Sequence, residues 1–233
     1  MKITHCKLNR ETQRKLLEYF VLEMTARSAA ELLNLQPNST ALFYRKIREV
    51  ITHHLDIKAD EVFEGPIELD QSALGYALTR ALDEGLNKPT GWKEGNVVAE
   101  RVAVFGMIKR GNKVYVKPVP TVLSEINSEI LLTSRPRKIV PDGVVYTDNG
   151  KHPNDLQSAD FYHERINHAL QLQVGKTHLG GVEEFWSFAQ QTLKKYNRID
   201  RSTMPLFIKE CEFRFNYGTP KEQLKTLLTW TEI

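Results

Sequence analysis

The hydrophobic pattern changes period along the chain. In NRETQRKLLEYFVLEM, after a polar opening at Thr12, the residues Leu16, Leu17, Phe20, Val21 and Met24 recur at intervals that predict an amphipathic helix. A shorter helix is predicted in SAAELLNL, with Ser28 at the N-cap and Glu31 at the capping-box position. The break QPNS then leads into TALFYRKIREVITHHL, where Leu42, Ile47 and Ile51 are expected to face inward and Arg45, Lys46 and Arg48 to reach solvent. His53 and His54 would close this helix beside its C-terminal dipole. A short helix, a tight polar turn and a longer basic helix form the arrangement that seats a recognition helix in a DNA major groove. Residues 1–58 therefore read as an all-α helix-turn-helix domain, with an ordinary three-helix packing unit as the plainer alternative.

Beyond residue 58 the period shortens to that of strands. IELD (67–70), RVAVFGMIKR (101–110), NKVYVKPVP (112–120), Val144 to Thr147 and FYHERIN (161–167) are strand-like, with Gly111-Asn112 as a hairpin turn. Helices are expected in LSEINSEILLTS, from about Val182 to Lys195, and last in MPLFIKECEFRFNYG, stopped by Gly218 and Pro220. This order predicts an α/β domain over 59–233, a mixed sheet flanked by helices. Residues 71–100 hold five of the chain's prolines and glycines between two strands and read as an insertion.

Charge divides the chain further. Residues 1–58 carry 10 Lys/Arg against 6 Asp/Glu and residues 188–233 carry 8 against 5, whereas 59–187 carry 14 against 18. Basic ends suit a polyanion and an acidic centre suits divalent cations, although a few surface charges would give the same asymmetry. No long apolar run is present, so a membrane role is not expected and the cytoplasm is. Cys6 and Cys211 form no C-x-x-C pair, which leaves them as reduced, structural thiols.

Asp70 ends IELD and Asp148 ends VVYTD. One aspartate at a strand end is ordinarily a turn former. Two on neighbouring strands would meet at one edge, where like charges call for a cation between them. Glu183 or Glu184, at the start of the next helix, would supply a third acid, and only one of these consecutive residues can face the sheet.

IELDQS, VVYTDNG, HERINH, HLGGVEEFWSFAQQTLKKYNRIDR and FIKECEFRFNYGTP, with the N-terminal VLEMTARSAAELLNLQPNSTALFYRKIREVI, resemble the DDE-type insertion-sequence transposases of the ISXO-like group. The likeness covers nearly the whole chain. It implies an RNase H-like fold with catalytic, metal-binding carboxylates at Asp70, Asp148 and Glu183, the last two 35 residues apart. It further implies two Mg²⁺ (or Mn²⁺) ions, double-stranded DNA as partner, a bacterial cytoplasmic location near the nucleoid, and a homodimer or larger assembly on DNA. Asn38, Ser39, Thr40, Tyr44, Arg45, Lys46, Arg48, Lys194, Lys195 and Arg198 become candidate DNA contacts, and Asn149 and His178 candidate neighbours of the metals.

The chain departs from that family's pattern in two places. Gln71 stands where an acidic residue is common, within a 71–100 stretch of mixed charge, and Gln190-Gln191 replace frequent basic residues on the glutamate helix. The family's strongly basic loop is thus replaced by mixed charge in 71–100, and this and the Gln190-Gln191 change both remove phosphate contacts. Two alternatives follow: an impaired relative that still binds DNA as a repressor, and an RNase H-like nuclease that cuts without joining. His163, His168 and His178 lack the spacing and cysteine partners of a zinc site. Trp186 reads as core.

Overall fold

The computed structural model describes residues 3, 6–58, 67–70, 103–109, 113–119, 144–148, 162–166, 180–196, 199 and 202–233. For residues 58, 67–70, 103–109, 117–119, 144–148, 162–166 and 180–183 the description is of the backbone. The chain divides into two compact units. One joins residues 1–58 to 206–233, and the other spans 59–205.

The helical unit opens with α1 (Arg10–Val21), capped by Asn9, whose side chain accepts the Thr12 N–H at 2.8 Å. The chain turns through Glu23 at φ 58, with the Met24 N–H donating to the Tyr19 carbonyl and the Glu23 N–H to Phe20, each at 3.0 Å. These bonds satisfy carbonyls that the helix end leaves open. Helix α2 (Ala26–Leu32) is capped by Thr25, which accepts the Ser28 N–H at 3.2 Å. Ser28 is thus the third helical residue and not the cap that the sequence suggests, because the extended backbone falls at Thr25. A second left-handed residue, Asn34 at φ 51, closes α2 and directs the chain into α3 (Pro37–Lys58). His53 and His54 lie inside this 22-residue helix and not at its end. The His54 ring stacks on Trp230 at 4.6 Å and 6°.

Successive α-helical residues turn by about 100°, and α3 splits accordingly into two faces. Phe43, Tyr44, Ile47, Val50, Ile51 and Leu55 are buried, as are Thr40 and Arg48. Leu42, expected to face inward, is 55% exposed. It lies roughly 140° around the helix from Ile47, so both cannot enter the same core. Arg48, expected in solvent, is 6% exposed.

Residues 206–233 complete this unit, in contrast to the sequence expectation that they close the α/β domain. Helix α5 (Met204–Asn216) is followed by a further helix, α6 (Pro220–Thr231), where the sequence suggests a stop. Thr219 and Glu222 form a reciprocal capping box: the Thr219 N–H donates to Glu222 Oε2 at 2.9 Å, and Thr219 Oγ1 accepts the Glu222 N–H. The Thr219 N–H first, and then the Thr219 hydroxyl, which also donates to Glu222 Oε2 at 2.9 Å, hold the Glu222 carboxyl below its usual range. Phe213 of α5 and Leu227 of α6 enter one core with Leu16, Leu17, Phe20, Ile47 and Ile51.

An ion network lies inside this core. Arg48 Nε donates to Glu210 Oε2 at 2.5 Å, and Arg214 donates to Glu210 Oε1 through Nε at 2.9 Å and Nη2 at 2.7 Å. Arg214 also donates to the Phe20 and Val21 carbonyls at 2.8 and 3.3 Å. It thereby brings a cation to the C-terminus of α1, whose own last turn has none. The Arg48 guanidinium lies 3.9 Å from the Phe207 ring centroid, close enough for a cation–π contact. Lys209 pairs with Glu212 at 2.9 Å and Asp56 at 3.3 Å.

The second unit holds a five-stranded sheet ordered β3-β2-β1-β4-β5. Its strands are β1 (Ile67–Asp70), β2 (Ala103–Lys109), β3 (Lys113–Val119), β4 (Val144–Asp148) and β5 (Tyr162–Ile166). The first three run antiparallel, and β4 and β5 run parallel to β1. Pro118, which cannot donate to a ladder, sits in edge strand β3. Helix α4 (Gly180–Leu193) packs against β1 and β2 and buries Phe185, Trp186, Ala189 and Leu193. Residues 71–100, LSEINSEILLTS and Gly111-Asn112 lie outside the described residues.

Candidate functional site

The central strands bring the two aspartates together. Parallel strands β1 and β4 pair Ile67 with Val145, Glu68 with Tyr146 and Leu69 with Thr147. The next residue on each is Asp70 and Asp148, the last of its strand. Because the strands run the same way, both aspartates leave the sheet at the same edge. Neighbouring strands lie about 4.8 Å apart, so the backbones carrying these residues are neighbours across the ladder. On their other sides Asp70 pairs with Gly106 of β2 and Asp148 with Ile166 of β5.

Helix α4 carries Glu183, the third carboxylate residue that the sequence suggests. Glu183 is its fourth residue, and the helix lies on β1 and β2. The next residue, Glu184, is exposed, while Phe185 and Trp186 are buried. Glu183 thus sits in the first turn, two residues before the buried aromatic pair that seats the helix. Its own side chain and those of Asp70 and Asp148 lie outside the described residues, as do Asn149, His178 and Arg198. Among the described residues no cluster of three or more metal-binding side chains occurs.

A second surface is the outer face of α3. Asn38, Ser39, Ala41, Leu42, Arg45 and His53 are exposed, and Lys46 and Glu49 are half-buried. Arg45 Nε donates to Glu49 Oε1 at 3.1 Å, one turn further along. Of the proposed DNA contacts, Asn38, Ser39, Arg45 and Lys46 lie on the outer side, whereas Thr40, Tyr44 and Arg48 are buried in the helical core. Tyr44 packs edge-on against Phe20 at 5.1 Å and Arg48 is tied to Glu210. Sequence reasoning placed Leu42 in the core and passed over Ala41 and Glu49; spacing from Arg45 at 100° per residue gathers all of them on its side. Lys194 and Lys195, just past α4, are exposed.

ECEFRFNYG, distinctive in the sequence, serves the helical core. Burial alone would raise the Glu210 carboxyl, but the Arg214 and Arg48 charges and their hydrogen bonds outweigh it and hold its pKa below the usual value. Cys211 beside it is buried, and burial first and the Glu210 charge second push its thiol well above the usual range. A thiol so held stays protonated and unreactive, in keeping with the structural role expected of it.

No described helix is long and apolar enough to cross a membrane. Residues 62–216 match the family described as the ISXO2-like transposase domain. A curated protein of Haemophilus influenzae, described as an uncharacterized transposase-like protein, is 36% identical over 115 residues, 49% of this chain and 90% of the relative. The match spans β1 to the end of α5, from the strand that carries Asp70 to the helix that carries Glu210, and with it the chain belongs to the ISXO2-like transposase family.

Proposed function

We propose that the chain is a DDE-type transposase that cleaves and joins the ends of an insertion sequence by phosphoryl transfer. Asp70, Asp148 and Glu183 are its catalytic carboxylates, the mixed sheet is an RNase H-like scaffold, and helices α2 and α3 form a helix-turn-helix that binds double-stranded DNA. The observation that carries this reading is the parallel register of β1 and β4, which ends both strands in an aspartate at one sheet edge.

Two carboxylates on adjacent strands repel one another, and a cation relieves that repulsion. The donor set is all oxygen, which fits hard cations such as Mg²⁺ or Mn²⁺. Two such ions, held by Asp70, Asp148 and Glu183, would supply charge stabilisation for the entering and leaving oxygens at phosphorus. Asp70 lies on the central strand of the sheet and would hold these ions together with Asp148 of the neighbouring strand. Helix α4 is seated by Phe185 and Trp186, which fixes where Glu183 begins. Lys194 and Lys195, both exposed, would grip phosphates, a contribution that is electrostatic and independent of sequence. Joining two ends at one target calls for at least a dimer on DNA, and the enzyme acts in the bacterial cytoplasm, where the nucleoid lies.

The test uses duplexes carrying the sequences that flank this gene, incubated with Mg²⁺ or Mn²⁺ and either the unaltered protein or Asp148→Asn. Metal-dependent nicking and joining, lost in the variant, is the expected result. Cutting without joined products would make the chain a nuclease. Binding without cleavage by either protein would leave it a DNA-binding relative whose chemistry has been lost.

A further inference from the structure

The outer face of α3 is not built like a phosphate grip. Along about 16 Å of helix axis, from Asn38 to Glu49, its centre presents an amide, two apolar side chains, one guanidinium and one carboxylate, Asn38, Ala41, Leu42, Arg45 and Glu49, with Ser39 and the half-buried Lys46 at its margins. Leu42 is 55% exposed and the Arg45 side chain 58%. Basic side chains that only follow a backbone need no leucine, and the Glu49 carboxylate repels phosphate. Base edges, by contrast, use each of these groups: Arg for guanine O6 and N7, Asn for adenine, a carboxylate for the cytosine amino group, and an apolar side chain for the thymine methyl. The bond to Glu49 uses Arg45 Nε and braces the side chain. A bidentate guanine contact uses the two terminal amino groups.

We infer that the Asn38–Glu49 face of α3 reads base sequence in the DNA major groove, with Arg45 selecting a guanine and Leu42 the methyl group of a nearby thymine. This rests on the DNA-binding reading of the helical unit and gives it a specificity code. Positive charge matches the partner: residues 1–58 carry 10 Lys/Arg against 6 Asp/Glu. Position along the helix agrees as well, since Asn38, Leu42 and Arg45 occupy its N-terminal half, the part of a recognition helix that meets base edges. Thr40, Tyr44 and Arg48 face the core and take no part in readout.

The experiment selects duplexes from a randomised library with the full-length chain in the absence of divalent metal, then repeats the selection with Arg45→Ala and Leu42→Ala. The unaltered protein should return a motif containing a guanine and a thymine. Arg45→Ala should lose discrimination at the guanine by about 5–150-fold while keeping the other positions. Replacing the selected thymine by uracil, which lacks the methyl, should weaken the unaltered protein about fourfold and leave Leu42→Ala unaffected. Both residues are exposed, and matching circular dichroism and melting curves will show that the variants fold. The inference is overturned if either variant returns the original motif unchanged, or if the unaltered protein selects no motif. It is overturned equally if Leu42→Ala turns a dimer into a monomer in sedimentation while leaving base preference intact, which would make Leu42 a contact for a second copy. None of these readouts needs cleavage, so a failed catalytic proposal and a failed readout code are separable.

Discussion

Replacing Glu210 by glutamine tests whether residues 206–233 hold the helical unit together. The substitution keeps the shape of the side chain and removes the charge that Arg48 and Arg214 share. Arg48 and Arg214 side chains are 8% and 2% exposed, so neither can recover its lost partner from water. Removing one member of a buried ion pair costs about 3–5 kcal/mol because the remaining charge stays buried. Here two guanidinium groups would be left facing a neutral amide. For a unit of this size each kcal/mol lowers the melting midpoint by about 4–8 °C, so the loss should reach at least about 12 °C. Thermal denaturation followed by circular dichroism at 222 nm, where helices dominate, reads this directly. Adding Arg48→Met to Glu210→Gln should restore part of the loss, with a coupling of about 1–3 kcal/mol, since one orphaned charge is gone. The pH dependence has a definite sign. Glu210 has a depressed pKa in the folded chain, so its contribution is complete above the ordinary glutamate value, about 4.3, and disappears as pH falls through the lower folded value. Glu210→Gln should flatten that acid limb. A midpoint within about 2 °C of the unaltered protein, the range of an ordinary surface change, would refute the reasoning.

On the proposed mechanism Asp148→Asn should reduce metal-dependent cleavage by at least about 10-fold, because losing a metal ligand costs no less than losing a ligand's supporting partner; gel-resolved nicking measures it, and DNA binding without metal should persist. Gly218→Ala should destabilise the α5–α6 junction: at φ +63 an added Cβ is strained and would lie 2.7 Å from Glu222 Oε2, displacing the carboxylate of the capping box. Its melting midpoint should fall, while Thr219→Ala, which removes only the cap, should cost about 1 kcal/mol. Lys194→Ala and Lys195→Ala should each reduce the slope of log affinity against log salt by about 0.9, the value for one lost phosphate contact, without altering base preference.

Local signals carried much of this architecture. The five strands were legible as β-branched or alternating runs between polar breaks, and Asp70 and Asp148 stood out because an acid closes each of two such runs. Their adjacency was not legible, since nothing in IELD or VVYTD states which strand lies beside which; the register of β1 on β4 supplies it. Arg48 was misplaced for a related reason. A long cation on a helix is ordinarily exposed, and the partner that keeps this one inside stands 162 residues later in the chain. Leu42 was misplaced on its apolar character alone, since helical spacing sets it about 60° from Arg45 and about 140° from Ile47, on the solvent side. Helix α6 was lost to its own punctuation. Gly218 and Pro220 end α5, but Thr219-Pro220-Lys221-Glu222 is also a start signal, with proline at the first helical position, where its missing N–H costs nothing.

The discontinuity of the helical unit sets the timing of synthesis. A ribosome delivers α1, α2 and α3 first, but the side chains that close their core, Phe213 and Leu227, arrive only after the whole sheet unit has been made. Until then Arg48 has no Glu210, and the carbonyls of Phe20 and Val21 have no Arg214. A nascent or prematurely terminated chain therefore lacks the contacts that support α3. On the proposed reading of α3 as a DNA-binding helix, fragments that stop before α5 would not compete with the full chain for the same ends.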